Sequence, residues 1–594
     1  MADFKVHLSN KAPWQQLQPD GKMGILQTKM DELIPGDPLS VQERFLKLEH
    51  PLSDIDQSVS RKYVRRMFIF DFPDLSQGRK NDTAIALRRG LEVAFKHYPF
   101  LTGTVGPGRD LIRNDVVQLR YGDTPDLRAV TTDIFKIRTH PRDEFGNSYR
   151  QLCVKRMPVS HLSKEKYCAA PEFKNSDWRP AFTLQANFLE DINGGGLILC
   201  FAFQQSIADG TSIKLFLDKF AAGCRGDIGP QDEITEYQAK TLEYMIPGVR
   251  QFVPSMITPE WDFDIEQMPL KGPVTTGIFT MSAATIERLR NDCTVSLKAT
   301  DPRFNENSFL SQTDCISALF WISILRSRCK RIANTPRHHN LNLSHFSTAV
   351  DARRYLPGPG ADAFFGNMFT TAALRRPIGN FFQPTSDDHE LPKITTALIA
   401  TCAYHIRHAL KGITPSSLGG RVAVLGELAH PLDATLAATK ASKSETTGVR
   451  IDSLVAYGAD LDFGIPGTGT GAGSENDGSP RFVRKPWLTT EGMVNILPRR
   501  KGTKGGADWE FLVCGRPNEM RNLVNELQQW TTFYVDDTNP SGPHSAEVEM
   551  ERLRDHIYEE EVILEEQERL RREGLGETGR GEEQDDLDAE GEED

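Results

Sequence analysis

At 594 residues the chain is long enough for more than one hydrophobic core, and a composition of 39% hydrophobic and 26% charged residues excludes wholesale disorder. No apolar run approaches the roughly 20 residues needed to cross a bilayer, and the opening MADFKVHLSNKAPW lacks the charged-then-apolar order of a secretory signal, so a cytoplasmic location without a membrane span is expected. The net charge of −12 is concentrated at one end: residues 547–594 hold 21 acidic and six basic residues, which leaves the rest at +3 and gives no footing for nucleic-acid binding.

In chain order, Tyr63 to Phe70 reads as a strand. Asp82 or Thr83 reads as the cap of a helix whose apolar face holds Ala84, Leu87, Leu91, Ala94 and Phe95, and Pro99 ends it. The most informative stretch is GGGLILCFAFQQSIADGTSIKLFLDKF, from Gly194 to Phe220. Leu197 to Phe203 is an apolar run of strand length, and Ile213, Phe216, Leu217 and Phe220 follow at helical spacing. Between them lies the polar segment Gln205-Ser206-Ile207-Ala208-Asp209-Gly210, at the strand end where layered α/β folds meet their ligands. Tyr237 to Gly272 has no clear period and reads as a crossover between two halves.

The second half opens with a strand at Val274 to Met281, followed by a helix at Ser311 to Arg328 that is apolar nearly all round. Leu341 to Val350 is extended and leads into Asp351-Ala352-Arg353, a Pro-rich turn and Phe364-Phe365-Gly366-Asn367. Lys393 to Lys411 is a helix. Asp462-Phe463-Gly464 introduces a Gly/Ser/Thr-rich run that lacks the closing G-K-[ST] of a phosphate loop. Met493 to Pro498 and Trp509 to Cys514 read as paired strands, and Met520, Leu523, Val524, Leu527 and Trp530 as the last core helix. From Glu547 the chain is a charged tail, part solvated helix and part disordered. The nine cysteines are scattered, with no C-x-x-C pair, as reduced thiols would be; no metal site is expected.

The order and spacing of these segments resemble the BAHD acyltransferases, in the fungal branch that includes trichothecene 3-O-acetyltransferases. The segment Gln205 to Gly210 is similar to the family's H-x-x-x-D-G signature, with Gln205 standing where the His belongs and Asp209 and Gly210 matching. Asp462-Phe463-Gly464 resembles the start of D-F-G-W-G, with Ile465 and Pro466 replacing the last two residues. The resemblance spans most of Asp37 to Tyr534. It implies an α/β fold of two similar lobes, each a mixed β-sheet with flanking helices as in chloramphenicol acetyltransferase, with an active-site channel between them. The implied division is an N-terminal lobe at 1–236, a crossover at 237–272, a C-terminal lobe at 273–546 and an acidic tail at 547–594. It also implies a monomer that uses acyl-CoA as co-substrate, binds no permanent cofactor and acylates a small-molecule acceptor; a slightly positive body suits that phosphate-bearing donor.

In the family the His removes the acceptor's hydroxyl proton, help worth about 10²–10⁴ in rate. The Asp is structural and pairs with the Arg of the D-x-R segment, here Arg353, and Asp462 is a second structural residue. A Gln205 amide can donate and accept hydrogen bonds but cannot carry away a proton near neutrality. Two functional classes follow: an acyltransferase with a remodelled site acting on a hydroxyl or amine, or a catalytically silent relative that binds acyl-CoA or a hydrophobic metabolite or partners an active enzyme. Other polar residues read as background: His345 as a core histidine, His405 and His408 as one solvated helix face, Cys200 as packing, and Ser206 as a hydrogen-bonding group with no base beside it.

Overall fold

The computed structural model describes residues 49–535 except 111–112, 123–133, 146–147, 175, 193, 228–273, 307, 335–341, 357–360, 383–392, 433–446, 469–477, 487–490 and 501–505. The expected crossover at 237–272, the tail at 547–594 and most of the Gly-rich run after Gly464 lie outside the described residues.

The first half runs through β1 (Glu49–Pro51), α1 (Asp54–Gln57), β2 (Tyr63–Phe72), α2 (Gln77–His97), β3 (Thr104–Pro107), β4 (Val117–Arg120), β5 (Phe135–His140), β6 (Arg179–Pro180), β7 (Phe182–Leu189), β8 (Gly195–Gln204) and α3 (Gly210–Arg225). The second runs through β9 (Thr275–Met281), α4 (Ala283–Thr300), α5 (Gln312–Ser327), β10 (Leu343–Asp351), β11 (Phe369–Pro377), α6 (Thr396–Lys411), α7 (Pro415–Glu427) and β12 (Gly448–Ser453). It closes with β13 (Phe482–Arg484), β14 (Met493–Ile496), β15 (Trp509–Gly515), α8 (Pro517–Leu527) and β16 (Thr532–Val535).

Two large sheets organise these elements. The first has five strands in the order β13-β2-β8-β7-β5, antiparallel except for β5 beside β7. The second has seven, in the order β11-β10-β12-β14-β15-β9-β16, with parallel pairs at β10–β12 and β12–β14. The fold is therefore α/β, with one mixed sheet and its own helices in each half. A small four-stranded sheet, β1-β4-β3-β6, flanks the first.

Each half has its own core, and the reason lies in the periodicities. Phe68, Phe70 and Phe72 alternate along β2, and Phe201 and Phe203 along β8; all bury one face against Phe216, Leu217 and Phe220 of α3 and Leu87 and Leu91 of α2. In the second half α5 is buried all round, and Trp321 inserts against Phe346 and Phe381 while its Nε1 donates to Ser344 Oγ at 2.8 Å. A third cluster joins the halves: Tyr63, Met67, Ile69, Ile198 and Cys200 from the first sheet meet Ile278, Leu512 and Cys514 from the second.

Two local expectations are corrected. Helix α2 begins at Gln77, capped by Ser76, whose Oγ accepts from the Arg79 amide; its first two turns are polar, so the apolar pattern starts only at Ala84 and concealed the true cap. His345 is half-buried and not in the core, because β10 turns Ser344 and Phe346 toward α5 and leaves the other face, with exposed Leu343, outside it.

A candidate acyl-transfer site between two sheets

Strand β8 ends at Gln204, and the chain turns through one 3₁₀ turn, Gln205–Ile207, before α3 begins. Asp209 caps α3: its Oδ1 accepts from the Ser212 amide at 2.9 Å, so a polar residue is required there by helix ending alone. The same carboxylate also faces the second half. Arg353 Nη1 donates to Asp209 Oδ2 at 2.8 Å, Nη2 donates to Oδ1 at 3.1 Å, and the Met368 amide donates to Oδ2 at 2.9 Å.

Arg353 is almost fully buried and donates further to Asp351 Oδ1 and to the carbonyls of Phe364 and Gly366. Burial alone would lower its pKa, but Asp209 and Asp351 outweigh that and raise it, so the guanidinium stays charged. Two more α3 residues add to the junction. Thr211 Oγ1 donates to Asp351 Oδ2 at 2.7 Å, and Ser212 Oγ donates to the Gly366 carbonyl while accepting from the Gly366 amide. Gly210 has a steric reason of its own: a Cβ there would lie 2.8 Å from the Tyr457 ring.

Gln205 is held by its backbone. Its amide donates to the Lys62 carbonyl at 2.9 Å, and its carbonyl accepts from Asn367 Nδ2 at 2.7 Å. Asn367 is itself fixed by Asp56 Oδ1, which accepts from both its amide and its side chain, and Asp56 Oδ2 accepts from Ser53 Oγ. The Gln205 side chain, by contrast, has its Oε1 buried without a donor among the described residues. Ser206 is already engaged, since its Oγ accepts from Arg61 Nη1 at 2.8 Å.

The structure thus brings together Gln205, Asp209, Gly210 and Arg353, and it separates Asp462 from them. Asp462 Oδ1 accepts from the Gly464 amide at 2.8 Å, and its carbonyl accepts from Arg225. Arg225 ends α3, a helix of 16 residues or about 24 Å, whereas Asp209 precedes its first residue. Asp462 is therefore a turn residue at the far end of α3 and takes no part in the Arg353 pairing. Its turn, with Gly464 at φ 55°, drives Phe463 and Ile465 into the first core. His405 and His408 sit on α6 of the second half; His405 is pulled down to about 4 by burial, with Arg376 and Arg303 adding to it. Among the described residues no group of side chains has the makings of a metal site.

Sequence reasoning missed Asp56, Gln57 and Arg61, which help build the floor of this site, and noted Asn367 only as part of a motif without giving it this role. Gln57 Nε2 donates to the Val117 carbonyl at 2.6 Å and Arg61 Nη2 to Gln57 Oε1 at 3.1 Å, so the segment around α1 ties Gln205's turn to the small sheet. It also missed a group of cations at the junction. Lys485 is pulled down to about 7 by burial and then by Arg66, with Lys62 and Arg450 adding to it and Asp452 opposing. Burial likewise lowers Arg66 to about 10 and Arg421 to about 9.

A family model described as "Transferase family" matches residues 158–389, which include Gln205, Asp209 and Arg353. The acyltransferase easC of Emericella nidulans is 23% identical over 405 residues, 64% of this chain and 78% of its own length. The O-acetyltransferase ptmV of Penicillium ochrochloron is 25% identical over 526 residues, 82% of this chain and 96% of its own. Among solved structures, F. graminearum TRI101 complexed with coenzyme A and deoxynivalenol superposes with a TM-score of 0.62 at 18% identity, over 82% of this chain and all of that one. The fold is that of the two-lobed BAHD acyltransferases. In sequence the chain is similar to fungal proteins named acyl- and O-acetyltransferases.

Proposed function

We propose that this protein is an acyl-CoA-dependent acyltransferase that moves an acyl group from a CoA thioester to a hydroxyl or amine of a small secondary metabolite, with Gln205 orienting the acceptor. The observation that carries the reading is Gln205: placed by its backbone at the strand-to-helix switch, yet with its side-chain Oε1 buried and lacking a donor among the described residues. A buried acceptor oxygen without a donor is costly, and an incoming O–H or N–H would satisfy it. In the transfer the acceptor oxygen or nitrogen bonds to the thioester carbon, the C–S bond breaks, and the acceptor's proton ends on the departing thiol. Positioning then supplies the rate that a general base would otherwise add. An amine acceptor suits this site better than an alcohol, because its lone pair attacks without prior deprotonation.

The same amide favours a second reading. Among the described residues no histidine or carboxylic acid hydrogen-bonds to Gln205 Oε1, so a protein that binds acyl-CoA without turning it over fits the geometry too. Thiol release from acetyl-CoA with panels of alcohols and amines separates the two. A working remodelled site gives turnover that Gln205→Ala abolishes. A silent one gives none until Gln205→His restores a base, and calorimetric binding of a CoA thioester then distinguishes silence from loss of donor binding.

A further inference from the structure

The junction holds positive charge with which no carboxylate among the described residues forms an ion pair; Asp452 opposes it only from farther off. Arg66 on β2 is buried; its Nη1 donates to the Arg65 carbonyl at 3.0 Å, and among the described residues no carboxylate lies within ion-pair distance of it. Lys485 stands one residue beyond β13, whose register pairs Arg484 with Met67, so the same antiparallel step places Lys485 beside Arg66. Its Nζ donates to Asn495 Oδ1 at 2.5 Å and likewise meets no carboxylate. Asn495 is fully buried on β14, and among the described residues its Nδ2 has no acceptor.

The nearest carboxylate in the register, Asp452 opposite Asn495, is already engaged: its Oδ2 accepts from Arg450 Nε at 2.9 Å and its Oδ1 from the Ala349 amide at 3.0 Å. Two cations and a spare amide N–H therefore converge where the edge of the first sheet faces the second. A buried cation such as Arg66 without an anion is unfavourable, and a fold that only needed to fill that space would do better with Leu or Met; Lys485 beside it is half-buried.

We propose that Arg66, Lys485 and Asn495 form an oxyanion-binding subsite that receives a phosphate or carboxylate group of a molecule entering between the sheets. The guanidinium offers a planar fork and the ammonium a point charge, a combination suited to an oxyanion. The inference deepens the acyl-transfer reading and rests on it for the identity of the ligand. Gln205 is hydrogen-bonded to Lys62, and Arg66 lies four residues farther, roughly 13 Å along the strand direction. A substrate whose reacting group sits at Gln205 would thus reach the subsite with a charged group at about that distance, as the phosphates of a CoA thioester or the acid group of an extended acceptor could.

The test uses the full chain and calorimetric titration with coenzyme A, pantetheine, inorganic pyrophosphate and glutarate. If the phosphates of the donor are the ligand, the wild type holds coenzyme A at least about tenfold more tightly than pantetheine, and Arg66→Met and Lys485→Met erase that difference while binding pantetheine as before. If an acceptor's carboxylate is the ligand, glutarate binds, the same variants release it, and the preference for coenzyme A survives. Asn495→Asp is a second variant that places a carboxylate beside Lys485; it should block anion binding with no fall in Tm. Variants that bind every probe as the wild type does, or a wild type that binds none of the anions, overturn the subsite. Binding is read without turnover, so tight coenzyme A binding with no transfer refutes the catalytic reading alone, whereas transfer with undiminished coenzyme A and glutarate binding in Lys485→Met refutes the subsite alone.

Discussion

Arg353 ties three separate pieces of chain together: the α3 cap through Asp209, its own strand end through Asp351, and the Phe364–Gly366 turn through two carbonyls. Removing it strands Asp209 with two amides and no cation. Arg353→Met should therefore cost about 3–5 kcal/mol, seen as a lower denaturant midpoint at unchanged slope, and Arg353→Lys should recover little because a single ammonium cannot reproduce the fork. Gly210→Ala should cost about 1–3 kcal/mol by forcing the Tyr457 ring aside. The motif spacing made Asp209, Gly210 and Arg353 legible in the sequence, because a cap and its partner arginine each sit in a recognisable run. Asp462 was misleading for the same reason: its D-F-G run sets a turn and buries Phe463, and nothing in the letters says at which end of α3 that turn lies.

At the scale of elements, the strand and helix periods around β2, β8, α3 and α5 were readable because each buries one face or all of itself. Pairing partners were not. Strand β13 lies far along the sequence, in the second half, yet it forms the edge of the first sheet beside β2. Its three residues carry no long hydrophobic pattern, and its placement depends on Arg484, which is buried and pairs with Glu510 Oε2 at 2.8 Å across to β15. Arg484 also donates to the carbonyls of Arg156 and Met157. Glu510→Gln would leave that guanidinium short of an anion and should cost about 3 kcal/mol. Hydrogen exchange should show β2 and β15 losing protection together in this variant; loss confined to β15 would mean that β13 is held by its backbone alone.

For the whole molecule, the charge at the junction makes stability depend on pH in a predictable sense. Lys485 titrates near 10.5 in an unfolded chain and near 7 in the fold, lowered by burial and by Arg66, Lys62 and Arg450 against the opposing Asp452. Between those values the unfolded chain binds a proton that the folded chain does not, so raising the pH from 7 toward 10 favours folding. Ligand-free protein should show this rise in Tm across that window, and Lys485→Met should flatten it. A bound anion should have the opposite influence, holding Lys485 protonated and removing part of the slope. None of this was visible in composition, where the near-neutral charge outside the tail averaged over cations that only the folded chain gathers in one place.

The crossing of β13 carries one more implication, for the way the chain comes into being. A ribosome releases β2 and β8 long before β13 is made, so the first sheet must wait with an unpaired edge until Phe482–Arg484 emerges. Fragments cut between the halves would inherit that open edge and should aggregate when expressed singly, yet reassemble when produced together.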